Sequence, residues 1–236
     1  ALFGVVPATV IVTARATLDR RVYGVRPMGA IPTPLVPLVA DASSWAAQAQ
    51  APPTAGGNDN FRVDARAGRV EPGSDGIPEI VLQAPGPGAS PSPADNLGVL
   101  ALGPGRVDPE AVARILADGV RPADLSVWSG QFALEDEAGA LDVAGRAEVD
   151  AGVVDGLRSI VGAGRVWPLA GPRVDAGAEA VFPVVDFGAG RVVAAWVDDA
   201  GRAVVVVQPT QLVTATALVR AGRPANRWIG KVSLTQ

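Results

Sequence analysis

The sequence predicts an α+β fold, mainly antiparallel β and sandwich-like, with an α/β insertion that carries two short helices. Three observations lead there. Twenty-one prolines and 28 glycines in 236 residues break the chain into short elements joined by turns. Apolar and polar residues alternate at both ends of the chain, the period of a half-buried strand. The two clearest helical segments, after Asp108 and after Asp150, both fall in the middle. That distribution suggests a β-rich unit of residues 1–40 plus 165–236 and an insertion of residues 41–164, with one continuous domain as the alternative.

Taken in order, Ala8, Val10, Val12, Ala14, Ala16 and Leu18 share one face of a strand, and Thr9, Thr13, Arg15 and Thr17 share the other. Residues 26–38 contain four prolines, which bar a central strand and predict an extended connector ending in a short apolar edge segment. Asp41 to Gln50 offers N-cap candidates followed by helix formers, stopped by Pro52-Pro53. Short strands follow near Phe61–Asp64 and Ile77–Leu82, and Pro85 to Pro93 reads as a low-complexity surface loop or an O-glycosylation-like stretch.

One helix starts at Asp108, with Pro109 at N1, Glu110 in the first turn, Val112, Ile115 and Leu116 on one face, and Gly119 as the stop. The second covers 151–161, with Val154, Leu157, Ile160 and Val161 inward. Between them, Gln131–Leu134 and Ala140–Val143 flank an acidic turn and predict a hairpin. From Arg165 onward the pattern is β: 166–169, 181–185, 191–197, 203–208, 212–220 and 227–235, with a hairpin turn at 198–202. Four consecutive valines, Val204 to Val207, suit a strand buried on both faces.

The composition narrows the function classes. There is no histidine and no cysteine, and Lys231 is the only lysine. The chain thus lacks the usual proton shuttle and the usual metal-ligating and nucleophilic thiols, and it has no disulfide framework. These absences predict a protein that is not an enzyme and needs no cofactor. A net charge of −4 and a pI near 4.9 argue against nucleic acid as a partner.

The motifs that remain have structural explanations. Asp186-Phe187-Gly188 spells a kinase metal-binding tripeptide, but the histidine of the catalytic loop is missing. The Gly-x-Gly runs at 103–105, 162–164 and 188–190 lack the third glycine of a nucleotide fingerprint and read as turns. Lys231 reads as an exposed strand lysine that discourages edge pairing. Asn58-Asp59-Asn60 and Gly73-Ser74-Asp75-Gly76 read as Asx turns rather than calcium loops. Glu79 and Asp150 have no visible partner for carboxylate chemistry. The tryptophans at 45, 128, 167, 196 and 228 are scattered, which favours core packing over a sugar platform.

A family resemblance emerges from the order of several segments. Ser74-Asp75-Gly76-Ile77-Pro78-Glu79-Ile80, residues 96–103, 115–125, 150–162 and 165–169, and Val204 to Pro209 follow one another as in TadG-related proteins. Leu2-Phe3-Gly4-Val5-Val6 and Val12 to Thr17 fit the same series. The chain resembles planctomycete-type TadE/TadG-like components of the tight-adherence (Flp) pilus system. The resemblance implies a pilus or pilus-assembly role outside the cytoplasm and brings no catalytic residue. Family members carry an N-terminal transmembrane helix and a further segment before this region. Neither is in this sequence, so residue 1 reads as a processing boundary or a trimmed start.

The expected function is therefore that of an extracellular or cell-surface structural protein associating by β-strand addition. Its partners would be other copies of itself, in a homo-oligomer or helical filament, or Tad pilus components. The expected contact residues are Leu2, Phe3, Val10, Val12, Ala14 and Leu18 on the donor strand, with Trp228 and Val232 on the C-terminal acceptor. Pairing of the donor strand within its own chain is the competing arrangement. The alternative function is a surface adhesion or carbohydrate-binding module that stacks Trp128 or Trp228 on surface glycans.

Overall fold

The structure, a computed structural model, describes residues 15–64, 66–86, 88–89, 92, 94–104, 107–134, 139–176 and 179–235. Leu2, Phe3, Val10, Val12 and Ala14 lie outside the described residues, as does the acidic turn at 135–138.

Among the described residues, three α-helices form where capping and apolar spacing agree. In α1 (Ala42–Ala49) the Asp41 carboxylate accepts from the Ser44 N–H, and Trp45 and Ala49 face inward. In α2 (Pro109–Asp118) Asp108 caps, Pro109 takes the first turn, and Val112, Ile115 and Leu116 are buried. In α3 (Ala151–Ser159) Asp150 accepts from the Val153 N–H, and Val153, Val154 and Leu157 are buried. Gly162 follows with φ +84°, the left-handed stop that glycine tolerates. A 3₁₀ segment, Pro122–Trp128, buries Leu125.

The rest is a mainly antiparallel β structure. The N-terminal strands are β1 (Arg15–Asp19), β2 (Val22–Val25) and β3 (Leu38–Asp41). The middle supplies β4 (Phe61–Asp64), β5 (Arg69–Pro72), β6 (Ile80–Ala84), β7 (Leu97–Leu100), β8 (Phe132–Ala133) and β9 (Leu141–Arg146). The C-terminal part adds β10 (Gly164–Ala170), β11 (Val174–Ala176), β12 (Glu179–Val197) and β13 (Ala203–Pro209). Last come β14 (Leu212–Val213), β15 (Ala217–Val219) and β16 (Ile229–Thr235).

The principal sheet runs β10-β3-β7-β9-β12-β13-β6, with β11 also on β12. Because β10 pairs with β12 as well as β3, the path β10-β3-β7-β9-β12 closes on itself. Strands from 41–164 and from 165–236 therefore share one sheet.

Alternation of side chains splits the interior into two cores. Leu38, Ala40, Leu97, Val99, Trp167 and Leu169 face the first, which α1, α2 and α3 cover. Val39, Leu100, Val166 and Ala170 face the second, covered by the three-stranded sheet β15-β2-β8 and by Leu125. This layering makes the α+β fold sandwich-like.

Four local expectations are corrected. The apolar end of residues 26–38 is not an edge: β3 lies between β10 and β7. Its prolines are tolerated because Pro34 and Pro37 serve only as carbonyl acceptors, for Val166 and Leu100, while Thr33 and Val36 donate. Gln131–Leu134 and Ala140–Val143 do not form a hairpin. β8 pairs with β2, and β9 with β7 and β12, because buried Phe132 packs its ring against Trp128 and Phe187. Residues 181–185 and 191–197 belong to one strand, β12, so Gly188 and Gly190 are not turn glycines. The tryptophans are not all scattered, since the Trp45 and Trp167 indoles meet at 6.0 Å. A Cβ on Gly188 would sit 2.8 Å from two atoms of the Trp45 ring, which explains the missing side chain inside a strand.

Candidate functional site

Both described chain ends meet in a separate three-stranded sheet, ordered β1-β16-β14. β1 runs antiparallel to β16, with Thr17 opposite Ser233, Leu18 opposite Val232 and Asp19 opposite Lys231. β14 runs parallel on the other side, with Leu212 opposite Ile229 and Val213 opposite Gly230. β1 thus pairs with the predicted C-terminal acceptor, and does so within its own chain. Lys231 sits on the middle strand rather than on an edge.

The period of two gives this sheet two unlike faces. Ile229 is buried in the second core and Leu212 packs against it. The opposite face presents Leu18, Val232 and Val213, exposed at 45%, 42% and 54%. Gly230 leaves room there for Leu18, whose Cδ1 would lie 2.6 Å from a Cβ at that position. Exposed apolar side chains lying singly need no explanation; these three lie together on one sheet face as an exposed apolar patch.

β1 is held differently from β16. No residue of β1 belongs to either core, and the strand is held by its ladder and by a turn in which Asp19 pairs with Arg21 at 2.7 Å. Hydrogen bonds from Arg21 hold the Asp19 carboxyl down at about 2.

β16 is anchored. Buried Asn226 accepts from the Trp228 and Ile229 N–H groups at 2.8 Å each, and its amide donates to the Phe187 carbonyl at 2.7 Å and to Asp186 at 3.2 Å. Trp228 is half-buried against both cores, with the Arg227 guanidinium 4.7 Å from its ring centroid. Trp228 therefore sits at the root of β16, apart from the Leu18–Val232 pair.

The β6 edge of the principal sheet is closed. Along β6, the Val81 N–H donates to Gln48 Oε1 at 2.8 Å, and the Val81 carbonyl accepts from Gln48 and Asn96 amides at 3.2 Å each. The Gln83 N–H donates to Asn96 Oδ1 at 2.7 Å, and its carbonyl accepts from the Asn96 N–H at 3.0 Å. These side-chain amides occupy the positions of a further strand, one way a protein blunts an edge.

The other sequence candidates resolve into structure. Buried Asp59 accepts from Ser74 Oγ at 2.5 Å and from the Asp75 and Gly76 N–H groups at 3.0 and 2.9 Å. Glu79, which showed no partner in the sequence, accepts from the Asn60 and Phe61 N–H groups at 2.7 and 2.6 Å. These carboxylates fasten the β4–β5 lobe to β6. Among the described residues no group of three or more acidic side chains is placed to hold a metal ion. Trp128 spends its indole N–H on the Leu102 carbonyl at 2.9 Å. Phe187 and Gly188 of the kinase-like tripeptide are buried, and the Asp186 carboxylate is turned back onto the Phe187 N–H. Among the described residues no helix is long and apolar enough to cross a membrane.

Comparison with known proteins gives no match to any family model, curated protein or solved structure.

Proposed function

We propose that this chain is a non-enzymatic structural protein of the cell exterior, a pilus or filament subunit or a pilus-assembly component. Copies associate by strand addition, with the N-terminal strand of one placed beside β16 of another. The observation that supports this reading is the asymmetry of the terminal sheet: β16 is rooted in the core through Asn226 and Ile229, whereas β1 adds nothing to either core. Such a strand can leave without unfolding the body, and a second copy can supply the same ladder and the same Leu18–Val232 contact. The TadG-like segments fit a surface-assembly role.

Deletion of residues 1–18 tests it. The shortened chain is expected to keep its near-UV circular dichroism and to sediment as a monomer, whereas the full chain associates. Filaments or oligomers that persist after the deletion would refute strand addition.

A further inference from the structure

We propose that the cavity at the paired ends of β3 and β10 is a binding site for a small zwitterion with an apolar side chain, an apolar amino acid. Its lining shares no residue with the terminal sheet, so the site stands apart from self-association.

The fold makes the cavity. β3 and β10 run parallel and finish side by side, with Leu169 opposite Ala40 and Ala170 opposite Asp41. There the two chains part. One enters α1 after Asp41, and the other passes Gly171, whose N–H donates to the Pro183 carbonyl of β12, on its way to β11. On the other side of β3 the Asp41 N–H donates to the Asn96 carbonyl at 2.9 Å, which brings the segment before β7 to the same rim. A crevice beyond the carboxyl ends of parallel strands, where their chains diverge, is a natural place for a small ligand. Here it measures about 350 Å³.

The lining offers three kinds of surface. Val39, Leu97 and Phe182, all buried, give it an apolar floor. Asp41 and Asp95 bring carboxylates, and Arg173 brings a guanidinium. The carboxylates keep acceptor capacity after their structural bonds are counted. Asp41 spends Oδ1 on the Ser43 hydroxyl at 2.6 Å and the Ser44 N–H at 2.7 Å, as the cap of α1. Asp95 spends Oδ2 on the Ser92 N–H at 2.5 Å. Its Oδ1 is shut off from solvent and has no hydrogen-bond partner among the described residues.

A buried carboxylate oxygen without a donor is costly, and a charged N–H donor is its strongest partner. An ammonium group carries three such donors, enough for both carboxylates. Arg173 suits the other end of the ligand, because a guanidinium holds a carboxylate through two parallel N–H bonds. The apolar floor then takes the side chain. Asn96 makes no further demand, since its Oδ1 accepts from the Gln83 N–H and its amide donates to Ser44 and Val81. Charge and apolar contact therefore outweigh neutral hydrogen bonds at this site, which disfavours a sugar.

Calorimetric titration of the full chain with L-leucine and L-phenylalanine tests the proposal. N-acetyl-L-leucine, which lacks the ammonium, and L-leucinamide, which lacks the carboxylate, are titrated beside them. At least one of the two amino acids is expected to bind, and the two blocked forms of leucine to bind at least tenfold more weakly than leucine. The Asp95→Asn protein should lose amino-acid binding by at least tenfold while keeping its near-UV circular dichroism, because asparagine retains an oxygen for the Ser92 N–H but presents amide donors to the ammonium. No binding of either amino acid at millimolar concentration overturns the proposal. So does equal binding of leucine and either blocked form, or unchanged binding by the folded Asp95→Asn protein.

Discussion

Replacing Asn226 with alanine is expected to lower the unfolding free energy by about 2–5 kcal/mol, because it strands buried backbone groups that each cost about 1–3 kcal/mol when unpaired. The side chain is nearly buried, and one amide joins two parts of the chain: the Asp186 carboxylate and Phe187 carbonyl of β12, and the Trp228 and Ile229 N–H groups at the start of β16. Chemical denaturation at neutral pH reads the loss. The deficit also depends on pH. Asp186 keeps solvent contact as a residue, but its carboxyl is crowded by surrounding protein, and that desolvation raises its pKa. The Phe187 N–H, the Asn226 amide and Arg223 act in the opposite direction. Removing the Asn226 amide therefore raises the folded-state pKa further. An acid with a raised folded pKa costs stability when it is ionised in both states, and that cost disappears once it is protonated in both. The Asn226→Ala deficit should accordingly narrow as pH falls through the raised Asp186 value to below the ordinary carboxylate range. A deficit that is constant with pH would show that the Asn226–Asp186 bond contributes nothing.

Trp45→Ala is the second large effect, expected at about 3–5 kcal/mol from the usual cost of truncating a buried aromatic. Trp45 is 1% exposed and packs on Trp167, while Gly188 and Gly190 of β12 receive its ring. The reciprocal change, Gly188→Ala, puts a methyl 2.8 Å from the indole and is expected to cost about 1–3 kcal/mol by overpacking. Because the two residues touch, the double variant Trp45→Ala/Gly188→Ala should lose less than the sum of the single losses. Additive losses in urea denaturation would mean that the glycine is not there to accommodate the indole.

Local signals in the sequence carried well where their cause is local. Asp108, Pro109 and Gly119 bound a helix because capping and φ are decided within a few residues. The hairpin at 198–202 forms because Asp198 accepts from the Ala200 and Arg202 N–H groups across that turn. Residues whose role depends on distant partners were misread. Gly188 and Gly190 looked like turn glycines because the groups that need their space, the Trp45 ring at Gly188 and the Val207 side chain at Gly190, come from elsewhere in the sequence. Glu79 looked partnerless because its donors are backbone N–H groups, which no residue type announces.

The candidate surface was legible in part. Leu18 and Val232 could be named from alternation, yet Val213 and Gly230 join them only through the parallel β14–β16 pairing. The closed β6 edge was invisible for the same reason, since Gln48 and Asn96 act as strand mimics only once the sheet has formed.

The central claim is that β1 of one copy can take the place beside β16 of another. Thr17 and Ser233 face each other across that ladder, so a disulfide between them reports which chains are paired. Thr17→Cys and Ser233→Cys proteins, each carrying one cysteine, are refolded together and oxidised. The account predicts a mixed dimer linked through positions 17 and 233. A mixture that stays monomeric while the Thr17→Cys/Ser233→Cys double variant closes its own disulfide would contradict the account and confine the strand to its own chain.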